Sequence, residues 1–257
     1  MGSGLYAACS ALMARSQALD ILSNNLANVN TTGYKGESQF YQALDAATGT
    51  GAGGAAGSTG ALDAAVNQYG ILAGEGLNLS AGAVEKTSNP LDVAIAGPGF
   101  LEVQSKAGVV YTRAGNLQIG PMGTLLTADG DPVLGVGAKG APDKPITVPN
   151  GAVSISPDGT LSVDGALVAK LRLVEFPPTA RLTPIGDTYF SAPAGAGTPA
   201  TQSHLDVGAL ESSNVNAIQA ETDLIGLQRH FDLLERALQI INSDFDQAAT
   251  SELPRLS

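Results

Sequence analysis

The sequence predicts an α+β protein: a discontinuous helical (coiled-coil) domain formed by the two chain ends, with an all-β domain inserted between them. Three observations predict it. Leucines recur every seven residues near the N-terminus, a longer apolar heptad runs near the C-terminus, and the intervening sequence consists of short alternating runs broken by turn residues. The corresponding boundaries are 1–36 for an N-terminal helix and loop, 37–69 for a linker, 70–209 for the β domain and 210–257 for a C-terminal helix.

The N-terminal element spans about residues 3 to 30, a stretch without proline and rich in Ala and Leu. Leu5, Leu12, Leu19 and Leu26 lie seven apart, and Ala8, Leu22 and Val29 fill the companion positions, with Arg15 the one break. Spacings of seven and of three or four keep side chains on one face of a helix. Asn28-Val29-Asn30-Thr31-Thr32-Gly33 ends it, and Gly33 is expected at positive φ. Asn24, Asn25 and Asn28 are of a residue type that closes a helix by bonding neighbouring backbone. The following linker contains GTGAGGAAGSTG over 49–60, flexible by composition.

Strand-like runs then follow one another: Leu91–Ala96, Phe100–Val103, Val109–Thr112, Val153–Ile155, Leu161–Val163 and Leu167–Phe176. Asp129-Gly130, Asp158-Gly159 and Asp164-Gly165 supply hairpin turns, because Asp-Gly tolerates the left-handed backbone that tight turns need. The C-terminal helix is expected from Asn214, an N-cap residue type. Its seam is Ala217, Leu224, Phe231, Leu238 and Phe245, interleaved with Ala220, Leu227, Leu234, Ile241 and Ala248. Both helices carry a second apolar stripe, Tyr6, Met13 and Ile21 on the first and Ile225, Leu233 and Ile240 on the second. A two-helix hairpin leaves such a stripe in water, so the pattern points to a multi-helix array. A coiled-coil dimer or a bundle within one chain are the alternatives.

Composition narrows the function. The chain has 257 residues, of which 13 are Lys or Arg and 24 are Asp or Glu, for a net charge of −11. Nucleic-acid binding needs a basic surface that this balance does not provide. An apolar run of the ~18 residues needed to cross a membrane is not found, and direct membrane insertion is not expected. The N-terminal residues lack the basic and apolar regions of a cleavable signal peptide.

No catalytic, cofactor or metal site is expected. The single cysteine, Cys9, lies in an apolar helix, where a small core residue is the expected role. Gly49/Gly51/Gly54 and Gly135/Gly137/Gly140 fit G-x-G-x-x-G, but a dinucleotide fingerprint requires a strand before and a helix after. The first lies in the linker, and Pro142 and Pro145 forbid a helix after the second. His204 and His230 lie in separate segments without a second ligand at metal spacing. The Asp-Gly turns lack the repeated acidic ladder of a calcium loop.

Several segments together resemble the bacterial flagellar axial proteins, specifically the rod proteins of the basal body. They are Ser23-Asn24-Asn25-Leu26-Ala27-Asn28-Val29-Asn30-Thr31-Thr32-Gly33-Tyr34-Lys35 near the start and Leu210-Glu211-Ser212-Ser213-Asn214-Val215-Asn216 near the end, the latter followed by Gln228-Arg229 and Phe231. In the middle they are Leu91–Phe100 and Tyr111-Thr112-Arg113-Ala114-Gly115-Asn116-Leu117. The stretches 116–119, 132–135, 145–149 and 154–160 are most similar to the proximal rod subunits, whereas Asp20–Asn25 is closer to the distal type.

The resemblance implies a structural subunit without catalysis or cofactor, whose terminal helices stack with those of neighbours into a tube. It implies export through the flagellar type III apparatus without a cleaved signal, to a periplasmic rod that passes motor torque to the hook. The implied partners are copies of itself, other rod proteins, the hook protein, the basal-body rings and the export apparatus. On this reading Leu5, Leu12, Leu19, Leu22, Leu26, Leu224, Leu227, Phe231, Leu234, Leu238, Ile241 and Phe245 form the assembly interface. Ser23, Asn24, Asn25, Asn28, Gly33, Ser213, Asn214, Val215 and Asn216 form the signature motifs. The resemblance adds contact with the next subunit as the alternative role of Asn24, Asn25 and Asn28. The competing reading is a β binding module that coiled-coil ends merely dimerise.

Overall fold

In the computed structural model, which describes residues 2–42, 71–106, 108–137 and 143–252, the chain begins in helix α1 (Gly2–Ala27). The helix ends three residues before the sequence suggests. Past Ala27 the backbone turns, with Thr31 N–H donating to Asn28 O at 3.1 Å and Tyr34 N–H to Thr31 O at 3.2 Å. The side chains of Asn25 and Asn28 bond outside the helix, an option that short polar amides take readily at helix ends.

Strands follow as β1 (Glu37–Gln42), β2 (Ile71–Leu77), β3 (Val84–Lys86), β4 (Val93–Ala96), β5 (Gly99–Ser105), β6 (Gly108–Thr112), β7 (Gln118–Ile119) and β8 (Leu125–Leu126). Next come β9 (Leu134–Gly135), β10 (Lys144–Pro145), β11 (Val153–Ile155), β12 (Thr160–Val163), β13 (Ala166–Lys170) and β14 (Leu173–Glu175). The last are β15 (Thr183–Ile185), β16 (Tyr189–Ser191), β17 (Thr198–Pro199), β18 (His204–Val207) and β19 (Ala209–Glu211), before helix α2 (Ala217–Glu252). Strand β1 lies within the stretch expected as linker and pairs with β2.

The chain divides into two compact units. A helical unit contains Met1–Leu26, Glu37–Gly76 and Ala217–Ser257; a β unit contains Ala27–Gly36 and Leu77–Asn216. The loop after α1 and the segment before α2 therefore both belong to the β unit.

The β unit is built on a six-stranded antiparallel sheet of order β15-β16-β6-β5-β14-β17. Period-two alternation sets its register. Leu101 and Val103 of β5 face the core opposite Thr112 and Val110 of β6, while Gln104 faces solvent. Leu101, Val103 and Val110 form one continuous core with Val93, Leu125, Val133, Leu161, Leu171 and Leu205. Each large apolar member that leaves water contributes roughly 1.5–3 kcal/mol. Phe100 meets Phe190 and Phe176 edge-on, at ring separations of 5.7 and 5.6 Å.

The run Leu167–Phe176 is one strand by composition and two in the structure. Strand β13 closes the meander β11-β12-β13, whereas β14 pairs with β5 in the large sheet. At the break, Leu171 N–H bonds Gly159 O and Arg172 N–H bonds Leu134 O, so the chain changes sheets with its backbone groups satisfied. The Asp164-Gly165 turn between β12 and β13 has φ of 47° and 81° at its two central residues, the left-handed pair of a two-residue hairpin.

Candidate functional site

Two segments far apart in sequence, the loop ending at Gly36 and the one beginning at Ala209, meet in the β unit. Gly33 N–H donates to Glu211 O at 2.8 Å, with Gly33 at φ +72°. A Cβ at Gly33 would collide with the backbone of Arg113 and Ala114, so glycine is required there for space as well as conformation. Gly36 N–H donates to Asn214 Oδ1 at 2.8 Å, and Asn214 Nδ2 donates to Asn78 O at 2.8 Å and Ser80 O at 3.1 Å. Asn214 is thus a tie between segments and not the N-cap of α2, which starts at Ala217 and is directly preceded by Asn216.

Three charges are buried at this meeting point. Strand β19 pairs with β3, and its alternation turns Ala209 and Glu211 inward. Lys35 Nζ lies 2.6 Å from Glu211 Oε1, the two side chains being 0% and 1% exposed. Arg113, which directly follows β6, places Nη1 3.1 Å from Glu211 Oε2. Glu211 Oε1 also accepts from Gly82 N–H at 2.9 Å. Two cations share one carboxylate, and the surplus positive charge meets backbone and ring electrons. Lys35 Nζ donates to Ser80 O at 2.7 Å, Arg113 Nη2 donates to Gly97 O, and the guanidinium stands 5.1 Å from the Phe100 ring centre. Burial pulls the Lys35 ammonium below its usual pKa, and the hydrogen bond and charge of Glu211 oppose that shift.

The signature residues fall in both units, Ser23 to Asn25 in the helical unit and the rest in the β unit. Asn25 is buried in the last turns of α1 and pairs twice with Glu37, through Nδ2 to O at 2.7 Å and Oδ1 from N–H at 2.9 Å. Asn28 is buried in the β unit, accepting from Thr31 Oγ1 at 2.9 Å and facing Asp187 Oδ1 at 3.4 Å. Ser23 and Asn24 are exposed, as is Asn216, while Val215 is half-buried and donates its N–H to the buried Ser213 Oγ at 3.2 Å.

Along the helices, Leu12, Leu19, Leu22, Leu26, Leu224, Leu227 and Phe231 are half-buried. Beside them Met13, Ile225 and Leu233 of the second stripe are 73%, 52% and 61% exposed. The side chains of Leu5, Tyr6, Cys9, Leu234, Leu238, Ile240, Ile241 and Phe245 lie outside the described residues, as do the 49–60 segment and Gly140 of the second glycine triplet. His204 lies on β18 and His230 on α2, both exposed. Among the described residues no cluster of three His, Cys, Asp or Glu could hold a metal, and no helix is long and apolar enough to cross a membrane.

The buried triad escapes a reading of sequence alone. Lys35, Arg113 and Glu211 each look like an ordinary surface charge in their own segment, although the inward phase of Glu211 could have been suspected from its alternation with Ala209.

Three family models match the chain in order. "Flagella basal body rod protein" covers residues 5–35, "Flagellar hook protein FlgE/F/G D1 domain" 94–163, and "Flagellar basal body rod FlgEFG protein C-terminal" 207–251. A flagellar basal-body rod protein FlgF of Caulobacter vibrioides is 30% identical, with all of both chains aligned. The chain belongs to the flagellar basal-body rod protein family. FlgF of Salmonella typhimurium is 32% identical over 95% of this chain and 96% of its own, and FlgG of Caulobacter vibrioides is 32% identical over 97% and 98%. Relatives of the FlgF and FlgG types thus reach the same 32% identity. Within the family frame the triad takes one residue from each matched region: Lys35 from the first, Arg113 from the second and Glu211 from the third.

Proposed function

We propose that this chain is a structural subunit of the flagellar basal-body rod, assembling through its terminal helices into the periplasmic shaft that carries motor torque to the hook. It performs no catalysis and needs no cofactor. The observation that carries the reading is the exposure of Met13 on α1 and of Ile225 and Leu233 on α2, large apolar side chains left in water while Ile21 is half-buried, in a chain related along its full length to rod proteins. Large apolar side chains in a row at helical spacing favour burial against further helices. The seam from Leu5 to Leu26 and from Leu224 to Phe245 then pairs the two helices as a coiled coil, and the second stripe faces neighbouring copies or other rod proteins. The hook protein and the surrounding rings are neighbours of such a shaft. Export through the flagellar type III apparatus without a cleaved signal brings the chain there. The domains of such a subunit are 1–36, 37–69, 70–209 and 210–257.

FlgF is the subunit type we assign, on the similarity of the central segments. FlgG is the second reading, favoured by the Asp20–Asn25 stretch and the FlgG relative of equal identity.

Leu233→Asp tests the assembly role, because Leu233 is 61% exposed and its replacement removes little from the isolated chain. Circular dichroism of the purified variant should match the parent, while a strain carrying only the variant should fail to swim and should lack hooks. Normal swimming by that strain contradicts the reading.

A further inference from the structure

We propose that Glu211 is an interlock: by serving Lys35 and Arg113 at once, it makes ordering of the 31–36 turn and of the 210–216 segment a single event. The two connections to the helices are then fixed together or not at all.

Lys35 and Arg113 are 0% and 3% exposed, and Glu211 is the carboxylate within ion-pair distance of both. A buried cation without its partner is strongly unfavourable, far more so than a buried pair replaced by neutral groups. Withdrawing the 210–216 segment therefore strands two cations at once. Withdrawing the 31–36 turn removes one of the two cations that hold Glu211, together with the backbone bond from Gly33 N–H to Glu211 O.

Neutral ties run in parallel. Asn214 bonds Gly36, Asn78 and Ser80, Asn78 N–H bonds Gly36 O at 2.9 Å, and Ser212 N–H bonds Ala83 O at 2.8 Å. The three participating stretches, 33–36, 78–83 and 210–214, thus close a ring of contacts with Glu211 at its centre. Lys35 and Glu211 are 176 positions apart, so nothing local can form this arrangement early.

Its consequence concerns the ends of the β unit. Lys35 lies eight residues beyond the end of α1 at Ala27, and Glu211 six residues before α2 begins at Ala217. One carboxylate thus sets where both connections leave the β unit. Glu211, Lys35 and Arg113 are positioning residues for the 31–36 turn and the 210–216 segment.

Hydrogen exchange on the full-length chain tests the interlock. In Glu211→Gln, which keeps size and an acceptor for Gly82 N–H, the amides of 33–36 and 80–83 should exchange about a hundredfold faster. The amides pairing β5 with β6 should change much less. In the all-neutral Lys35→Met, Arg113→Gln, Glu211→Gln variant, protection at 33–36 should return to within about threefold of the parent, since no stranded charge remains. Protection at 33–36 that survives Glu211→Gln overturns the proposal. So does a triple variant as loose as, or as unfolded as, the single one, because the loss is then one of packing and not of stranded charge.

Discussion

At Gly33 the backbone requirement and the packing requirement coincide. With φ at +72° and the Arg113–Ala114 backbone against its α-carbon, Gly33→Ala should lower stability by at least ~2 kcal/mol, read as a drop in thermal midpoint. The glycine is legible in the sequence because Asn, Thr and Gly after an apolar helix are local turn chemistry. The triad is not legible, because Arg113 and Glu211 are 98 positions apart and no local pattern links them. A half-buried charge group gives a pH test. Arg172 is shared by Glu102 and Asp143, at 3.6 and 3.2 Å. Burial, then the Asp143 charge, push the Glu102 carboxyl above its ordinary 4.5, with Arg172 opposing. The folded chain thus holds this proton more tightly than the unfolded chain. The resulting stability is present below the ordinary value and lost as pH rises through the raised one. Glu102→Gln should remove that decline, giving a flatter urea midpoint between about pH 4 and pH 7, with Asp143 still pairing Arg172.

At the scale of elements, what reads correctly is what depends on neighbours in sequence. The two helices follow from heptads, and the Asp164-Gly165 hairpin from its turn pair, with positive φ at both residues. What reads incorrectly depends on distant partners. The run Leu167–Phe176 has uniform strand character, yet it divides because β12 claims one half and β5 the other. Asn214 is a good N-cap by type, but its amide is engaged with Gly36, Asn78 and Ser80, so α2 starts three residues later. The N-cap position falls to Asn216. Asn216→Ala should therefore destabilise the start of α2 by about 1 kcal/mol, seen as faster amide exchange over residues 217–220 with the β unit unaffected, and Asn216→Asp should restore it.

For the whole molecule, the two units divide the work: the β unit has its own core, and among the described residues the helices leave Met13, Ile225 and Leu233 in water. Family membership and the exposed stripe support the same reading, an axial subunit whose helices are finished by neighbours. The stripe itself is legible as a second set of apolar positions beside the seam; that Met13, Ile225 and Leu233 stay exposed is a property of the folded chain. The most direct measurement is thiol accessibility in a Cys9→Ala background carrying Met13→Cys or Leu233→Cys. Both thiols should react with a maleimide in the dilute, purified chain and be blocked in isolated basal bodies. Equal reaction in the two states would contradict burial of these faces on assembly, and with it the account of how this protein works.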